Sequence, residues 1–295
     1  MAAIEAYGLA KSFDGRPACR DISFQVERGE VFGLLGPNGA GKTTTLRMLA
    51  GLYAPDAGTA TVAGHPIAPG RPGSAALRAR VGLLTESPGF YDRLTARENL
   101  AYFARLHQAP ARRCDALLDR FGLGAHADRP FAALSRGMKQ KLAIARALVH
   151  EPDVVFLDEP TVGLDPAATR EVRAVVAELA REQRTIVLCT HHLEEVERLC
   201  SRAAFIAGRL IAVHEIRRES LLRIELAAPV EPDGVRTLCH SLRQEGAVLL
   251  IEPRAEVPEI VAALVRSGAR VLAVAPHRDP LEEAWLKLLA EAGRP

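Results

Sequence analysis

Long apolar runs, paired cysteines and lysine are the features that this 295-residue sequence has little of. No stretch of about 18 apolar residues occurs, although 48% of the residues are hydrophobic, so no membrane-spanning helix is expected. The N-terminal segment has neither the basic start nor the apolar run of a signal peptide. The five cysteines form no CxxC pair, which disfavours disulfides and a zinc site. These absences predict a soluble cytoplasmic protein.

The charge is nearly balanced, with a formal net charge of +2. This balance excludes a strongly basic nucleic-acid platform and an acidic disordered tail. The lysines are few among the 38 basic residues, and they are Lys11, Lys42, Lys139, Lys141 and Lys287. Their scarcity can reflect codon usage alone, or the retained lysines can have chemical roles.

Short apolar runs alternate with helical patterns over the first two-thirds of the chain, which predicts an α/β domain with a largely parallel sheet. The predicted strands are Glu30–Leu35, Val81–Thr85, Val154–Leu157 and Thr185–Thr190. Helical stretches follow the second strand with no strand between them, at Thr95–Gln108, Ala111–Phe121 and Ser135–His150. We therefore expect a helical subdomain at about residues 87–150, inserted into the α/β body.

The composition changes after about Arg218. A hairpin-like pair at Ala203–His214 closes the first domain, predicted to span residues 1–218. Residues 219–295 are predicted to form a small α/β accessory domain. Its elements are expected to be strand Leu221–Leu226, helix Val235–Glu245, strand Val248–Glu252, helix Val257–Ser267, strand Arg270–Val274 and helix Pro280–Ala292.

A glycine-rich segment, GPNGAGKTT at Gly36–Thr44, satisfies the pattern G-x-x-x-x-G-K-[ST]. It follows a predicted strand and opens a helical pattern, which is the context that a phosphate-binding loop requires. Glycines let backbone N–H groups turn toward phosphate oxygens, and the helix N-terminus favours an anion. Lys42 supplies charge to the outer phosphates, and the Thr43 hydroxyl can bind Mg²⁺. A chance match in a turn is disfavoured by this context.

Two adjacent carboxylates end the strand of VVFLDEP. Asp158 is placed to hold Mg²⁺, and Glu159 can orient a water at the γ-phosphate. Taken alone, Asp-Glu-Pro after a strand is more often an ordinary turn. Its position downstream of a phosphate loop favours the catalytic interpretation.

Two weaker signals complete the set. The segment LSRGMKQK begins a predicted helix with Ser135 as N-cap and a basic first turn, which opposes the helix dipole unless an anion docks there. His191 and His192 follow the strand Thr185–Thr190, and either can be a simple surface residue. The turn Gly163–Pro166 leads into a predicted helix, Ala167–Arg181.

In their order and spacing, these motifs over about residues 3–215 resemble the nucleotide-binding domain of ATP-binding cassette (ABC) proteins, a P-loop NTPase fold. The resemblance implies that Phe13 stacks on adenine, that Thr43 and Asp158 serve Mg²⁺, that Glu159 is the catalytic carboxylate and that His191 senses the γ-phosphate. It implies a phosphate cradle composed of Gly36, Pro37, Asn38, Gly39, Ala40, Gly41, Lys42, Thr43 and Thr44. It also implies that a signature segment reaches the nucleotide of a second subunit, with Ser135, Arg136, Gly137 and Met138.

Two of the motifs depart from the family pattern. Glu86 stands where the family has glutamine; its carboxylate can still bind Mg²⁺ or position water, but it adds negative charge beside the triphosphate. The signature is LSRGM in place of LSGGQ. Both departures, and the ending DPLEEAWLKLLAEAG, resemble the ATPases of ABC-2-type exporters of drugs, lipids and polysaccharides.

The resemblance implies an ATPase that uses ATP and Mg²⁺, forms an ATP-dependent dimer, expected to be a homodimer, and drives a separate membrane permease. The chain would then be a peripheral protein at the cytoplasmic face of the membrane, with no nucleic-acid partner. The segment from Glu86 to Leu94 would be the docking surface for the permease. The alternatives are a soluble ABC ATPase in DNA repair or translation, and an unrelated P-loop kinase or GTPase.

Overall fold

The structure is a computed structural model, and it describes residues 2–71, 73–85, 89–216 and 221–277, together with Leu281 and Trp285. Its internal contacts divide the described residues into two compact units. The first unit ends at Ile216, and the second begins after it. The expected boundary at residue 218 falls among residues outside the described ranges.

The first unit contains ten strands and seven α-helices among its described residues. The strands are β1 Ala2–Phe13, β2 Arg16–Glu27, β3 Val31–Leu35, β4 Ala57–Val62, β5 His65–Ile67, β6 Val81–Leu84, β7 Val154–Asp158, β8 Thr185–Thr190, β9 Arg202–Ile206 and β10 Leu210–Glu215. The helices are α1 Lys42–Leu49, α2 Ala75–Arg78, α3 Ala96–Leu106, α4 Arg112–Arg120, α5 Arg136–Leu148, α6 Pro166–Arg181 and α7 Leu193–Leu199.

A six-stranded sheet in the order β10-β9-β3-β8-β7-β6 forms the framework of this unit. All its pairings are parallel except that of β9 with β10. Every residue of β3, β7 and β8 is buried, which explains their nearly continuous apolar sequences. The expected α/β fold with a mostly parallel sheet is confirmed, and each strand predicted for this sheet is present within one residue.

A second sheet, β2-β1-β4-β5, is antiparallel and was not expected from the sequence. Its first two strands pair over 12 residues each, but the register shifts at several points along β1. Each shift interrupts the alternation of buried and exposed side chains, which is the pattern by which strands are identified in a sequence. The apolar side chains of this sheet join the main core of the unit, with Ile4, Leu9 and Ile22 fully buried.

The expected helical subdomain is formed by α3, α4 and α5 with two short 3₁₀ turns, Gly124–His126 and Phe131–Ala133. The predicted capping box at the start of α3 is confirmed: Thr95 accepts a hydrogen bond from the Glu98 N–H, and the Glu98 carboxylate accepts one from the Thr95 N–H. Helix α5 begins at the signature segment and is followed by β7, the strand that ends at Asp158.

Over its described residues 221–277, the second unit is an antiparallel sheet in the order β12-β13-β11-β14 with one α-helix and one 3₁₀ helix. Its elements are β11 Leu221–Leu226, 3₁₀ helix Pro232–Leu238, β12 Cys239–Glu245, β13 Val248–Pro253, α8 Val257–Arg266 and β14 Val271–His277. Leu222, Ile224, Leu249, Ile251 and Ile260 lie in its own hydrophobic core.

The predicted helix Val235–Glu245 is wrong. Helical structure ends at Leu238, and β12 follows in an antiparallel pairing with β13. This pairing places Leu242 against the core, so tertiary packing outweighs the helical propensity of the segment. Of the predicted helix Pro280–Ala292, only Leu281 and Trp285 are described, and both are helical. Within the described residues, no helix has the length and apolar character needed to cross a membrane.

Candidate functional site

The segment Gly36–Thr44 connects β3 to α1 in a conformation that only glycine accepts readily. Gly41 is the N-cap of α1, with φ of 94°, and a Cβ there would lie 2.5 Å from the carbonyl oxygen of Ala18. A Cβ on Gly36 would overlap the carbonyl oxygen of Ile206. No side chain caps α1, and the first N–H groups of a helix have no partner within it. The end of α1 is therefore suited to hold the oxygens of an anion.

Lys42 is 5% exposed, and its ammonium group is held at the mouth of this loop. Nζ donates hydrogen bonds to the carbonyl oxygens of Gly36 and Pro37, at 2.8 and 3.1 Å. Nζ also lies 3.6 Å from Oε1 of Glu159. The contacts join the expected phosphate-binding lysine to the expected catalytic carboxylate.

Thr43 and Asp158 meet although they are far apart in the sequence. The Thr43 hydroxyl donates a hydrogen bond to Asp158 Oδ1 at 3.1 Å. Asp158 is 3% exposed, and this burial, with the charge of Glu159 adding to it, raises the pKa of its carboxyl above the usual value. A hydroxyl and a carboxylate are hard oxygen ligands of the kind that Mg²⁺ takes, so the pair fits that ion.

Glu159 and His191 are in direct contact at this edge of the sheet. His191 Nδ1 lies 2.9 and 3.0 Å from the two oxygens of the Glu159 carboxylate. Glu159 has φ of 49°, a left-handed backbone that is uncommon for a residue with a Cβ. Its N–H donates to the carbonyl oxygen of Cys189 at 2.9 Å, which ties this turn to β8. The carboxylate is thus fixed between an imidazole and the Lys42 ammonium.

The ring of His192 lies beside that of His191, with centroids 4.0 Å apart and the ring planes tilted by 37°. Ligand atoms of Glu159, His191 and His192 all lie within 4.8 Å of one another, a spacing that a metal ion can bridge. The ammonium of Lys42 already faces the same carboxylate, so a cation is not needed to balance the charge of Glu159. The group belongs to the site of Lys42 and is not a separate one.

The signature segment begins α5. Ser135 is its N-cap and accepts a hydrogen bond from the Met138 N–H at 3.3 Å. A Cβ on Gly137 would lie 2.9 Å from Cβ of Ala168 in α6. The guanidinium of Arg136 occupies the space that a Cβ of Gly163 would take. Both contacts hold the start of α5 against the turn that follows Glu159.

Phe13, the expected adenine-stacking residue, ends β1 and is 43% exposed. Its ring packs edge-on against Tyr53, with centroids 5.5 Å apart, and the Lys11 ammonium lies 5.7 Å from its centroid. An exposed face of this ring is thus available for stacking. Glu86, the other expected nucleotide contact, lies outside the described residues.

One charged residue close to this site was missed by sequence reasoning. Glu195, in α7, is 1% exposed and accepts hydrogen bonds from the hydroxyls of Thr161 and Thr190. Arg173 Nε in α6 lies 3.5 Å from the same carboxylate. The available signal was the helical spacing, because Glu195 lies four residues before Leu199 and so shares the apolar face of α7.

Residues 161–173 and 192–198 line a cavity of about 570 Å³ beside this network. Thr161, Arg173 and Glu195 form part of its wall. The cavity therefore lies next to the Glu159–His191 pair, and Glu159 itself is not among the residues that line it.

Comparison with known proteins gives consistent results. Residues 19–162 match the family described as "ABC transporter". Nod factor export ATP-binding protein I of Paraburkholderia xenovorans is 48% identical over 72% of the chain and 70% of that protein. The uncharacterised ABC transporter ATP-binding protein YhcH of Bacillus subtilis is 33% identical over 98% of the chain and 96% of that protein. The structure of CbiO1 from Clostridium perfringens, part of the ABC transporter complex CbiONQ, is 30% identical, with a TM-score of 0.64 over 73% of the chain and 89% of that structure.

Proposed function

The chain belongs to the ABC transporter family and is an ATP-binding ATPase subunit, and from this premise we propose that it powers an ABC-2-type exporter through a separate membrane permease. The observation that carries the catalytic part is the hydrogen bond between Glu159 and His191 beside Lys42. This arrangement supports the proposal because it brings a carboxylate, an imidazole and an ammonium group together at one edge of the sheet.

In the proposed reaction, the loop Gly36–Thr44 binds the phosphates of ATP, and Lys42 binds the outer phosphate oxygens. Mg²⁺, held by Thr43 and Asp158, would neutralise charge on those oxygens. Glu159 accepts a proton from the attacking water, and His191 orients the Glu159 carboxylate. His191 also contacts the γ-phosphate and so registers its presence. Phe13 stacks on the adenine ring.

A second copy of the chain is proposed to complete the site. Ser135 and Gly137, with Arg136 and Met138 beside them, would contact the γ-phosphate bound by the partner, so that two ATP molecules lie in one two-fold interface. The exposed N-cap position of Ser135 supports this role, because the first turn of α5 is accessible to an anion. Loss of the γ-phosphate would remove the link between the subunits.

Export is proposed because a relative with 48% identity is named for Nod factor export, and because the LSRGM signature and Glu86 resemble ABC-2-type ATPases. The permease would dock near Glu86 to Leu94, in the segment that enters the helical subdomain. Tyr91 in this segment is 49% exposed and lies against Tyr102 of α3, which provides an aromatic surface there. The subunit would then act at the cytoplasmic face of the membrane.

The test is recovery of partners by the full-length chain from detergent-solubilised membranes of its native cells. A multi-spanning protein is expected in the recovered complex. A Tyr91→Ala variant should recover less of it, whereas Tyr7→Ala, which changes an exposed tyrosine of β1, should recover as much as the unmodified chain. Recovery of ribosomes or nucleic acid would contradict the exporter proposal and favour a role in translation or DNA repair.

A further inference from the structure

The two proposed catalytic side chains lie on separate segments that follow the neighbouring paired strands β7 and β8. Glu159 lies in the turn after β7, and His191 follows β8. Two threonines adjoin them: Thr161 lies two residues after Glu159, and Thr190 immediately precedes His191. The hydroxyls of both threonines donate to the carboxylate of Glu195, one to each oxygen.

The Thr190 hydroxyl also accepts a hydrogen bond from the His192 N–H, at 3.0 Å. Thr190 therefore connects Glu195 to the backbone on the far side of His191. Thr161 accepts a backbone hydrogen bond from Leu164 at 3.2 Å and so belongs to the tight turn after Glu159. One carboxylate thus joins the segments that carry the catalytic pair.

Burying the Glu195 carboxylate costs free energy unless its oxygens accept hydrogen bonds. Glu195 is 1% exposed, Thr161 is 7% exposed and Thr190 is fully buried. A buried charge is retained at low cost only with hydrogen bonds and an opposite charge, and Arg173 supplies the latter. A hydrophobic side chain would fill the same space without this cost, but it could not accept two hydroxyl donors.

We propose that Glu195 is a positioning residue for ATP hydrolysis, which fixes the Glu159 and His191 segments relative to each other through Thr161 and Thr190. In this proposal Glu195 acts through the two threonines and not by contact with the nucleotide. The inference rests on the proposed roles of Glu159 and His191. Small displacements of reacting groups reduce rates strongly, so loss of either hydroxyl contact should lower turnover more than ATP binding.

The experiment measures kcat and KM for ATP on the full-length chain carrying Thr161→Val or Thr190→Val, each of which removes a hydroxyl with little change of shape. Each variant is expected to lower kcat about 10- to 100-fold and to change KM less than about twofold. Thr161→Ser, which keeps the hydroxyl, should recover most of the rate.

Glu194→Ala is the matched control. Glu194 neighbours Glu195 on α7 and pairs with the same Arg173, at 3.3 Å, but no hydroxyl contact to it is described. Its removal should leave kcat within about twofold of the unmodified value. Glu195→Gln, which keeps one carbonyl acceptor and loses the charge, should have a rate between that of this control and those of the valine variants.

Rates within about twofold of the unmodified chain for both valine variants would overturn the proposal, as would an equal proportional effect on KM, or a loss in Thr161→Val that Thr161→Ser does not restore. Measuring Glu159→Gln in the same assay distinguishes a failure of the role proposed for Glu195 from a failure of the role proposed for Glu159. If that variant is inactive and the valine variants are fully active, only the role of Glu195 fails. Normal hydrolysis by Glu159→Gln would overturn the proposed role of Glu159 and this inference with it.

Discussion

Glu159 is held by three kinds of contact: its backbone N–H to Cys189, its carboxylate to His191, and its charge near Lys42. The left-handed backbone at this residue costs free energy, which the surrounding contacts offset. These contacts fix the orientation of the Glu159 carboxylate before any substrate binds. Such a fixed orientation suits the proposed role of Glu159 as the group that accepts a proton from water.

Glu159→Gln should lower ATP hydrolysis about 10²- to 10⁴-fold while ATP affinity stays unchanged, because the amide keeps the shape but cannot accept a proton from water. The measurement is phosphate release at saturating ATP, with nucleotide binding measured separately. Glu151→Gln is the matched control, since Glu151 also has a left-handed backbone but pairs at the surface with Arg113. Normal turnover in Glu159→Gln would remove the general-base role.

At the residue scale, the sequence predicted Lys42, Thr43, Asp158, Glu159 and His191, and the structure brings all five together. Lys42 and Thr43 belong to a short local pattern, whereas Asp158, Glu159 and His191 were chosen because of their order along the chain and the family resemblance. Glu195 differs, because its importance depends on Thr161 and Thr190, which approach it only in the folded chain. A glutamate in an amphipathic helix gives no sign of such partners.

The C-terminal end of α5 carries an element-scale feature, a pair of stacked imidazoles. The rings of His150, just after α5, and His107, after α3, are nearly parallel, with centroids 4.0 Å apart. His150 Nε2 lies 3.0 Å from the carbonyl oxygen of Val81, and its Nδ1 is buried without a hydrogen-bond partner in the described structure. Burial, with smaller contributions from the nearby His107 and Arg113, lowers the pKa of His150 to about 4.

Because the folded state lowers this pKa, the unfolded chain binds a proton first as the pH falls. The stability associated with neutral His150 is fully present above about pH 6.5 and is lost between about pH 6.5 and 4. We expect a loss of about 1–2 kcal/mol over this range, after allowance for partial exposure.

The measurement is the free energy of unfolding against pH, for the unmodified chain and for His150→Gln. The difference between the two should shrink as the pH falls from 7 to 4. His240→Gln, at an exposed position of β12, serves as the control and should not alter the pH dependence. A constant difference for His150→Gln across this range would show that His150 does not contribute.

Helices and strands could be predicted where a single sequence pattern, such as an apolar run or a capping box, was clear. The buried strands β3, β7 and β8 are continuous apolar runs, and α3 has a capping box, so both kinds were identified correctly. The sheet containing β1 and β2 was missed because register shifts break its alternation. The strand β12 was mistaken for a helix because its partner, β13, determines its conformation.

At the scale of the whole molecule, ATP should join two copies of the chain. Glu159→Gln with ATP and Mg²⁺ is expected to form a dimer, since the γ-phosphate that links the subunits is no longer removed. Mass measured by light scattering during size-exclusion chromatography tests this. Adding Ser135→Arg should keep the chain monomeric because the larger side chain blocks the proposed contact with the partner's nucleotide.

The matched control is Ser267→Arg added to Glu159→Gln, which introduces the same side chain at an exposed position after α8 in the second unit. It should leave the dimer intact. A dimer that persists with Ser135→Arg would contradict the proposed role of the signature segment.

The sequence indicated the assembly only through resemblance, because a contact between chains leaves no periodic pattern within one chain.

The contact between Arg136 and Gly163 constrains the two positions unequally. A side chain at Gly163 would overlap the guanidinium of Arg136, which is the end of a flexible side chain and can move aside. The φ of 68° at Gly163 would oppose most residues whether or not the arginine moves or is replaced. Position 136 can therefore accept substitutions more readily than position 163, because the backbone conformation of Gly163 sets the constraint there.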